Sequence, residues 1–224
     1  MTIPFWHVDA FAGSVFGGNP AGVCLLDRWL QPSLMQRIAA ENNLPETAFV
    51  MLAGSAVEVR WFTPSVERRD DLLVLDFPSR PALPCEPSTV LLSGLKKEPV
   101  EVRGARDYLV VYASEEDVRG LAPDMALLSR IDRMGVIATA PARHGGTADF
   151  VSRFFAPGIG IPEDPVTGSS HCTLIPYWAR RLGRKSLRAR QVSSRGGELI
   201  CEDAGDRVKI GGRAATYLAG EITA

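Results

Sequence analysis

The segment EDPVTGSSHCTL, Glu163 to Leu174, concentrates the groups in this chain that could do chemistry. A glycine followed by two serines at the start of a helical pattern presents backbone N–H groups without intrahelical acceptors, together with the positive end of the helix dipole. Gly168, Ser169 and Ser170 therefore suit the carboxylate of a small acid, with Asp164 at the rim of the cradle. His171, in the first helical turn, is a further candidate, set against a purely structural role. The competing local explanation is capping, since Asp, Thr and Ser ahead of a helix commonly satisfy its first amides for about 1 kcal/mol.

Other chemistries lack their residues. Cys24, Cys85, Cys172 and Cys201 show no CxxC spacing, and His7, His144 and His171 are scattered, so neither a metal site nor a disulfide framework is expected. No GxGxxG joins a strand to a helix, and no GxxxxGK[ST] or GxSxG occurs, which leaves nucleotide binding and serine hydrolysis without support. The run RRLGRKSLRARQVSSR, Arg180 to Arg195, holds seven basic residues and no acid or aromatic. It reads as a solvated helix end whose cations complement the dipole, not as a nucleic-acid module.

The elements that must position these groups occur in the same order twice. FWHVDAF, PAGVCLLD, a helix over about Pro32 to Glu41, ETAFVML and VEVRWF make the first series. PVEVR, DYLVVYA, a helical stretch from about Pro123 to Ile131, GVIATA and ADFVSRFF make the second. Two RxFxP segments, Arg60 to Pro64 and Arg153 to Pro157, stand 93 residues apart at matching places, the mark of an internal duplication. Their equivalence favours a structural role for both arginines, such as pairing with a buried carboxylate. Each half is rich in strands, so its sheet is expected to curl around a helix. In the second half that helix spans about 169–182, where Leu174, Ile175, Trp178 and Leu182 keep apolar spacing, Pro176 can bend it and Gly183 stops it. The first half has no room for one: the strand at Leu72 begins eight positions after Pro64, whereas Ala189 lies 32 positions after Pro157. The deficit is about 24 residues, a loop and a helix.

GGNPAGV, ENNLPETAFV, RWFTP, LDFP, EDPVTGSSHC and RGGELICEDAGDRVKIGG together resemble the PhzF-like phenazine biosynthesis family, whose fold is that of diaminopimelate epimerase. The resemblance runs from Val8 to about Gly220. It implies an α+β protein of two pseudo-repeated lobes, each a curled mixed sheet around a central helix, with the active site in the cleft between them and usually a homodimer. The expected lobes are 1–96 and 97–212, with 213–224 a C-terminal strand free to return to the N-terminal lobe. The family's reaction is a cofactor-free isomerisation by proton transfer. The resemblance implies Glu46 as the general acid/base, Asp164 as its opposite number in substrate binding or proton relay, and Asn19, in the GGNPAG turn, near the cleft. The chain departs from the family after Val66 and Glu67, where relatives continue into a Cys-Gly-His-Ala-Thr segment opening the first lobe's central helix. That segment's histidine has no counterpart here.

Composition agrees with a folded protein: 46% of residues are hydrophobic and 23% charged, with a net charge of −1. The opening MTIPFWHVDAFAG lacks a basic region and an unbroken apolar stretch, so a cytoplasmic location is expected. The expected activity is isomerisation of a small carboxylate-bearing substrate without metal or organic cofactor, and nucleic acid and membrane are not expected partners. Against it stand a non-catalytic relative that binds a small acid or serves as an interaction module, and a cysteine-type racemase of the same fold. The racemase needs a thiol at each helix start, where this chain has Asp164 and Pro165.

Overall fold

The computed structural model describes residues 1–44, 46–53, 56–60, 66–69 and 72–223. By internal packing the chain forms two compact units, Met1–Phe77 with Gly211–Ala224, and Pro78–Ile210, so the first division falls earlier than the boundary expected after residue 96.

The first unit holds β1 (Thr2–Ala10), β2 (Asn19–Leu26), α1 (Pro32–Asn42), β3 (Glu46–Ala53), β4 (Ala56–Arg60), β5 (Val66–Arg69) and β6 (Leu72–Pro78). Pro32 opens α1 at a position where a missing N–H costs nothing, and Asn43 closes it in the left-handed region at φ 49°. The helix crosses from β2 to a parallel β3, while β1–β2 and β3–β4 pair antiparallel. The C-terminal strand, β16 (Ala214–Thr223), returns to the free edge of β1.

Register decides which side chains share a face. Phe5 lies opposite Cys24, and Cys24 beside Phe49. With Ile3 and Leu26 they form one apolar face, onto which α1 packs Met35 and Ile38. The opposite face carries Trp6, Val8, Val23, Leu25, Ala48 and Val50, all only half-buried, and Leu52, which is 64% exposed. No described helix of this unit covers it.

The second unit repeats the plan with both faces covered. Its elements are β7 (Leu83–Pro84), α2 (Thr89–Leu95), β8 (Glu101–Gly104), β9 (Tyr108–Val111), α3 (Glu115–Arg119), α4 (Met125–Leu128), β10 (Val136–Pro141), β11 (Phe150–Ala156), β12 (Ile161–Asp164), α5 (His171–Leu182), β13 (Ser186–Gln191), β14 (Gly197–Asp203) and β15 (Arg207–Gly212). The pairings β8–β9 antiparallel, β9–β10 parallel and β10–β11 antiparallel restate those of β1 to β4. The helix expected over 123–131 is a single turn, α4, capped by Asp124, with α3 ahead of it on a Ser114/Asp117 capping box. One face of the sheet packs Tyr108, Val110, Val136 and Phe155 against Leu91, Val118 and Leu128 of α2, α3 and α4. The other meets α5, where Trp178 stacks on Phe150 at 5.5 Å and donates from Nε1 to Thr139 Oγ1 at 3.0 Å. Thus β9 is buried on both faces, as a strand between two helical layers must be.

Pro176 lies inside α5 and cannot donate to the carbonyl of Cys172. The backbone N–H of Arg80 takes that place at 2.8 Å, which fastens the segment after β6 to the helix.

Candidate active site

In the second unit β12 runs antiparallel to β11, with Asp164 opposite Phe154, and delivers the chain to a single 3-10 turn, Gly168–Ser170, that leads directly into α5. Neither the turn nor the helix has a side-chain cap, so the capping explanation for Asp164, Thr167 and the serines does not apply. Thr167 instead donates its hydroxyl to Asp164 Oδ2 at 2.5 Å. Burial pushes the Asp164 carboxyl above the usual aspartate range, and the Thr167 hydrogen bond only partly offsets this. Gly168 and Ser169 remain partly accessible. Uncapped amides beside a carboxyl that holds its proton more firmly than usual suit the binding and protonation of a small anion.

The loop is held by residues the motif does not contain. Gln191, fully buried at the end of β13, accepts from Thr167 N at 2.8 Å and donates to the carbonyl of Asp164 at 2.8 Å. Ser193 Oγ donates to the carbonyl of Pro165 at 2.6 Å. Arg106 sets Nε and Nη2 on Asp107 Oδ2 at 3.1 and 2.9 Å, and Nη2 reaches Ser169 Oγ at 3.2 Å. Because Asp107 is completely buried, the guanidinium beside Ser169 is anchored from below. Buried parity flags Gln191 in sequence, since Leu187, Ala189 and Gln191 alternate inward; Arg106 has no comparable signal.

Two candidates turn inward. Ser170, 1% exposed, donates to the carbonyl of Thr167 at 2.8 Å. His171 is completely buried, its Nδ1 donates to the same carbonyl at 2.8 Å, and burial pushes its pKa down to about 4, so the ring is neutral at pH 7. Both brace the turn. Cys172, 2% exposed, has its thiol pushed up by burial against the opposing influence of Arg80 and Arg106, the reverse of what a thiolate racemase requires.

In the first unit Asn19 and Glu46 open adjacent strands. Glu46 pairs with Ala21, two residues from Asn19, so Asn19 and Glu46 share a face of the sheet at the same end. It is the face opposite α1, the one left half-buried. Asn19 is 4% exposed, and its Oδ1 has no hydrogen-bond partner among the described residues. Gly18 makes the turn possible: at φ +63° a Cβ there would stand 2.0 Å from the carbonyl oxygen of Ala10. Asp9, buried and outside every motif, accepts from Phe16 N at 2.7 Å and pins the same turn.

The repeat explains why Glu46 has no twin. Phe49 lies opposite Arg60, and Ala138 opposite Arg153, so Gly135, three residues ahead of Ala138, corresponds to Glu46. A Cβ on Gly135 would come within 2.7 Å of the Phe154 ring. Arg153 makes a forked pair with Glu163 at 2.7 and 2.9 Å and donates to the carbonyls of Val118 and Leu121, a structural role. The first RxFxP lies almost wholly outside the described residues, as does Pro45 beside Glu46.

The family profile described as phenazine biosynthesis-like protein matches residues 8–69 and 87–220. The chain belongs to this family. Among its phenazine biosynthesis-like relatives is an uncharacterised isomerase of Pseudomonas aeruginosa, 45% identical over 261 residues, with 99% of each chain covered. That alignment exceeds the chain by 37 positions (261 − 224), so at least that many have no counterpart here. The profile match runs to Arg69, two residues beyond the expected last match at Glu67, and resumes at Pro87. A crystal structure of a PhzF-family phenazine biosynthesis protein from Enterococcus faecalis superposes with a TM-score of 0.91 at 37% identity, covering 100% of both chains. A second solved PhzC/PhzF protein, from Clostridium difficile, gives 0.86 at 37% identity over 99% of this chain and 100% of its own. The fold is therefore that of the family, diaminopimelate epimerase-like. No described helix is long and apolar enough to cross a membrane.

Proposed function

We propose that this protein is an isomerase that moves a proton on a small carboxylate-bearing substrate. The observation that carries the reading is the uncapped turn at Gly168 and Ser169, set beside Asp164, whose carboxyl burial pushes above the usual aspartate range. The turn's N–H groups and the Arg106 guanidinium near Ser169 bind the substrate carboxylate and stabilise the negative charge that develops when a neighbouring C–H is broken. Glu46 is the base: its carboxylate takes the proton from the carbon next to an existing double bond, the C–H electron pair becomes the new double bond, and the electron pair of the old one takes up the returned proton at the far carbon. Asp164 shares that proton handling, and Asn19 holds a polar group of the substrate near Glu46. The relatives' name as isomerases supports the reaction class. Ser170 and His171 serve the site by holding the turn's shape.

A second reading, a relative that binds a small acid without turning it over, draws on one observation: the sheet face carrying Glu46 is only half-buried. Incubating the protein in D2O with a panel of unsaturated cyclic and acyclic carboxylic acids, and following the C–H signals by NMR, separates the two. An isomerase exchanges the activated hydrogen, and Glu46→Gln lowers that rate by about 10²- to 10⁴-fold while keeping affinity for the acid. Binding of an acid by folded protein without any exchange would establish the second reading instead.

A further inference from the structure

Between the segment that Pro176 fastens to α5 and the helix itself lies a hollow of about 210 Å³, walled by Pro81 and Ala82 on one side and by Pro176 and Tyr177 on the other. Three arginines, Arg103, Arg180 and Arg181, and one carboxylate, Glu101, line the rest. Glu101 organises the floor. Its Oε1 accepts from Arg103 Nε at 2.5 Å, its Oε2 accepts from the Tyr177 hydroxyl at 2.7 Å, and Arg181 Nη1 stands 3.6 Å from Oε2 while donating to Tyr177 at 2.9 Å. Arg103 spends one further donor on the carbonyl of Ala82 at 3.4 Å.

These contacts leave guanidinium donors over. A guanidinium offers five N–H groups, and the contacts of Arg103 and Arg181 use only part of them. Arg180 makes no ion pair with any described residue. Three positive charges against one negative leave the hollow two charges in excess. Two of the arginines open the basic run at Arg180, whose later members Arg184 and Arg188 instead meet Asp149, through the Arg184 side chain and the Arg188 backbone.

We propose that this hollow binds a small doubly charged oxyanion, a phosphate monoester or a short dicarboxylate, through Arg103, Arg180 and Arg181, with Pro81, Ala82 and Pro176 flanking its carbon skeleton. Two negative charges neutralise the excess, and the planar guanidiniums suit forked oxyanion contacts. The site is distinct from the Asp164 cradle: Pro176 and Arg180 stand seven and eleven residues beyond Ser169 along the chain, roughly 10 Å or more down the helix.

Calorimetric titration of the intact protein with inorganic phosphate, succinate and acetate, at fixed ionic strength, tests this. Saturable 1:1 binding of both dianions is expected, with acetate about tenfold weaker or worse, and the tighter of the two dianions identifies which chemistry the hollow favours. Arg180→Ala, at an exposed and unpaired position that leaves folding intact, should weaken dianion binding about tenfold, and Arg103→Ala at least as much. Arg188→Ala, from the same basic run, should leave it unchanged. No saturable binding of either dianion, or equal losses in Arg180→Ala and Arg188→Ala, would overturn the proposal. So would binding that Ser169→Ala abolishes and Arg180→Ala spares, which would assign the anion to the cradle.

Discussion

His171 shows how one buried group writes itself into the stability of the whole chain. Its folded pKa of about 4 lies below the 6.5 of an exposed imidazole because the cation has lost its water. The unfolded state therefore binds the extra proton first as pH falls, and the stability that a neutral His171 allows is present above about 6.5 and lost on the way down to about 4. The loss is on the order of 3 kcal/mol. Denaturant melts across that window should show it, and His171→Asn, whose amide can still donate to Thr167, should flatten the dependence. An unchanged slope would mean that another group titrates there. The residue was visible in sequence as a histidine beside a cradle, but its burial was not, because burial depends on the ring of Phe150 packing against it from another element, β11.

At the scale of the element, α5 illustrates a defect put to use. The apolar spacing and Gly183 predicted the helix and its end, and Pro176 predicted a disturbance. Only the fold shows the response, an Arg80 N–H from another segment in place of the missing donor. Pro176→Ala restores a competing N–H within the helix, so the Arg80 amide should lose its acceptor and exchange with solvent at least about tenfold faster, as mass spectrometry or NMR can read. Unchanged protection at Arg80 would show that the segment is held by other contacts. The short helices α2 and α3 escaped the periodicity reading because five to seven residues are too few to display a period; the signals of both are local, Ser88 for α2 and the Ser114/Asp117 box for α3.

For the whole molecule, the contrast between the units has energetic consequences. In the second, β9 to β11 are sandwiched between helical layers; in the first, the one described helix, α1, packs on one face of β1 to β3, and the apolar residues of the other face are half-buried. Each large apolar side chain left half out of water forgoes about 1 kcal/mol of burial, and several stand on that face. Hydrogen exchange should therefore show β2 and β3 opening at lower free energy than β9 and β10, and a hydrophobic dye should bind the native protein. Equal protection in both units would mean that the face is covered after all.

By itself the sequence determined the family, the duplication, and the deficit after Glu67, because motifs, strand alternation and loop lengths are local records that survive without coordinates. It also marked Glu46, Asp164, Gly168 and Ser169 as the residues to watch. Tertiary structure decided what each can do. Strand register put Glu46 and Asn19 on the face away from α1, and the reach of Gln191, Asp107 and Arg106 across the fold separated an accessible Ser169 from a buried Ser170 and His171. Hydrogen-bond satisfaction and desolvation are settled by whichever groups meet in space, and adjacent residues of one motif can meet entirely different ones.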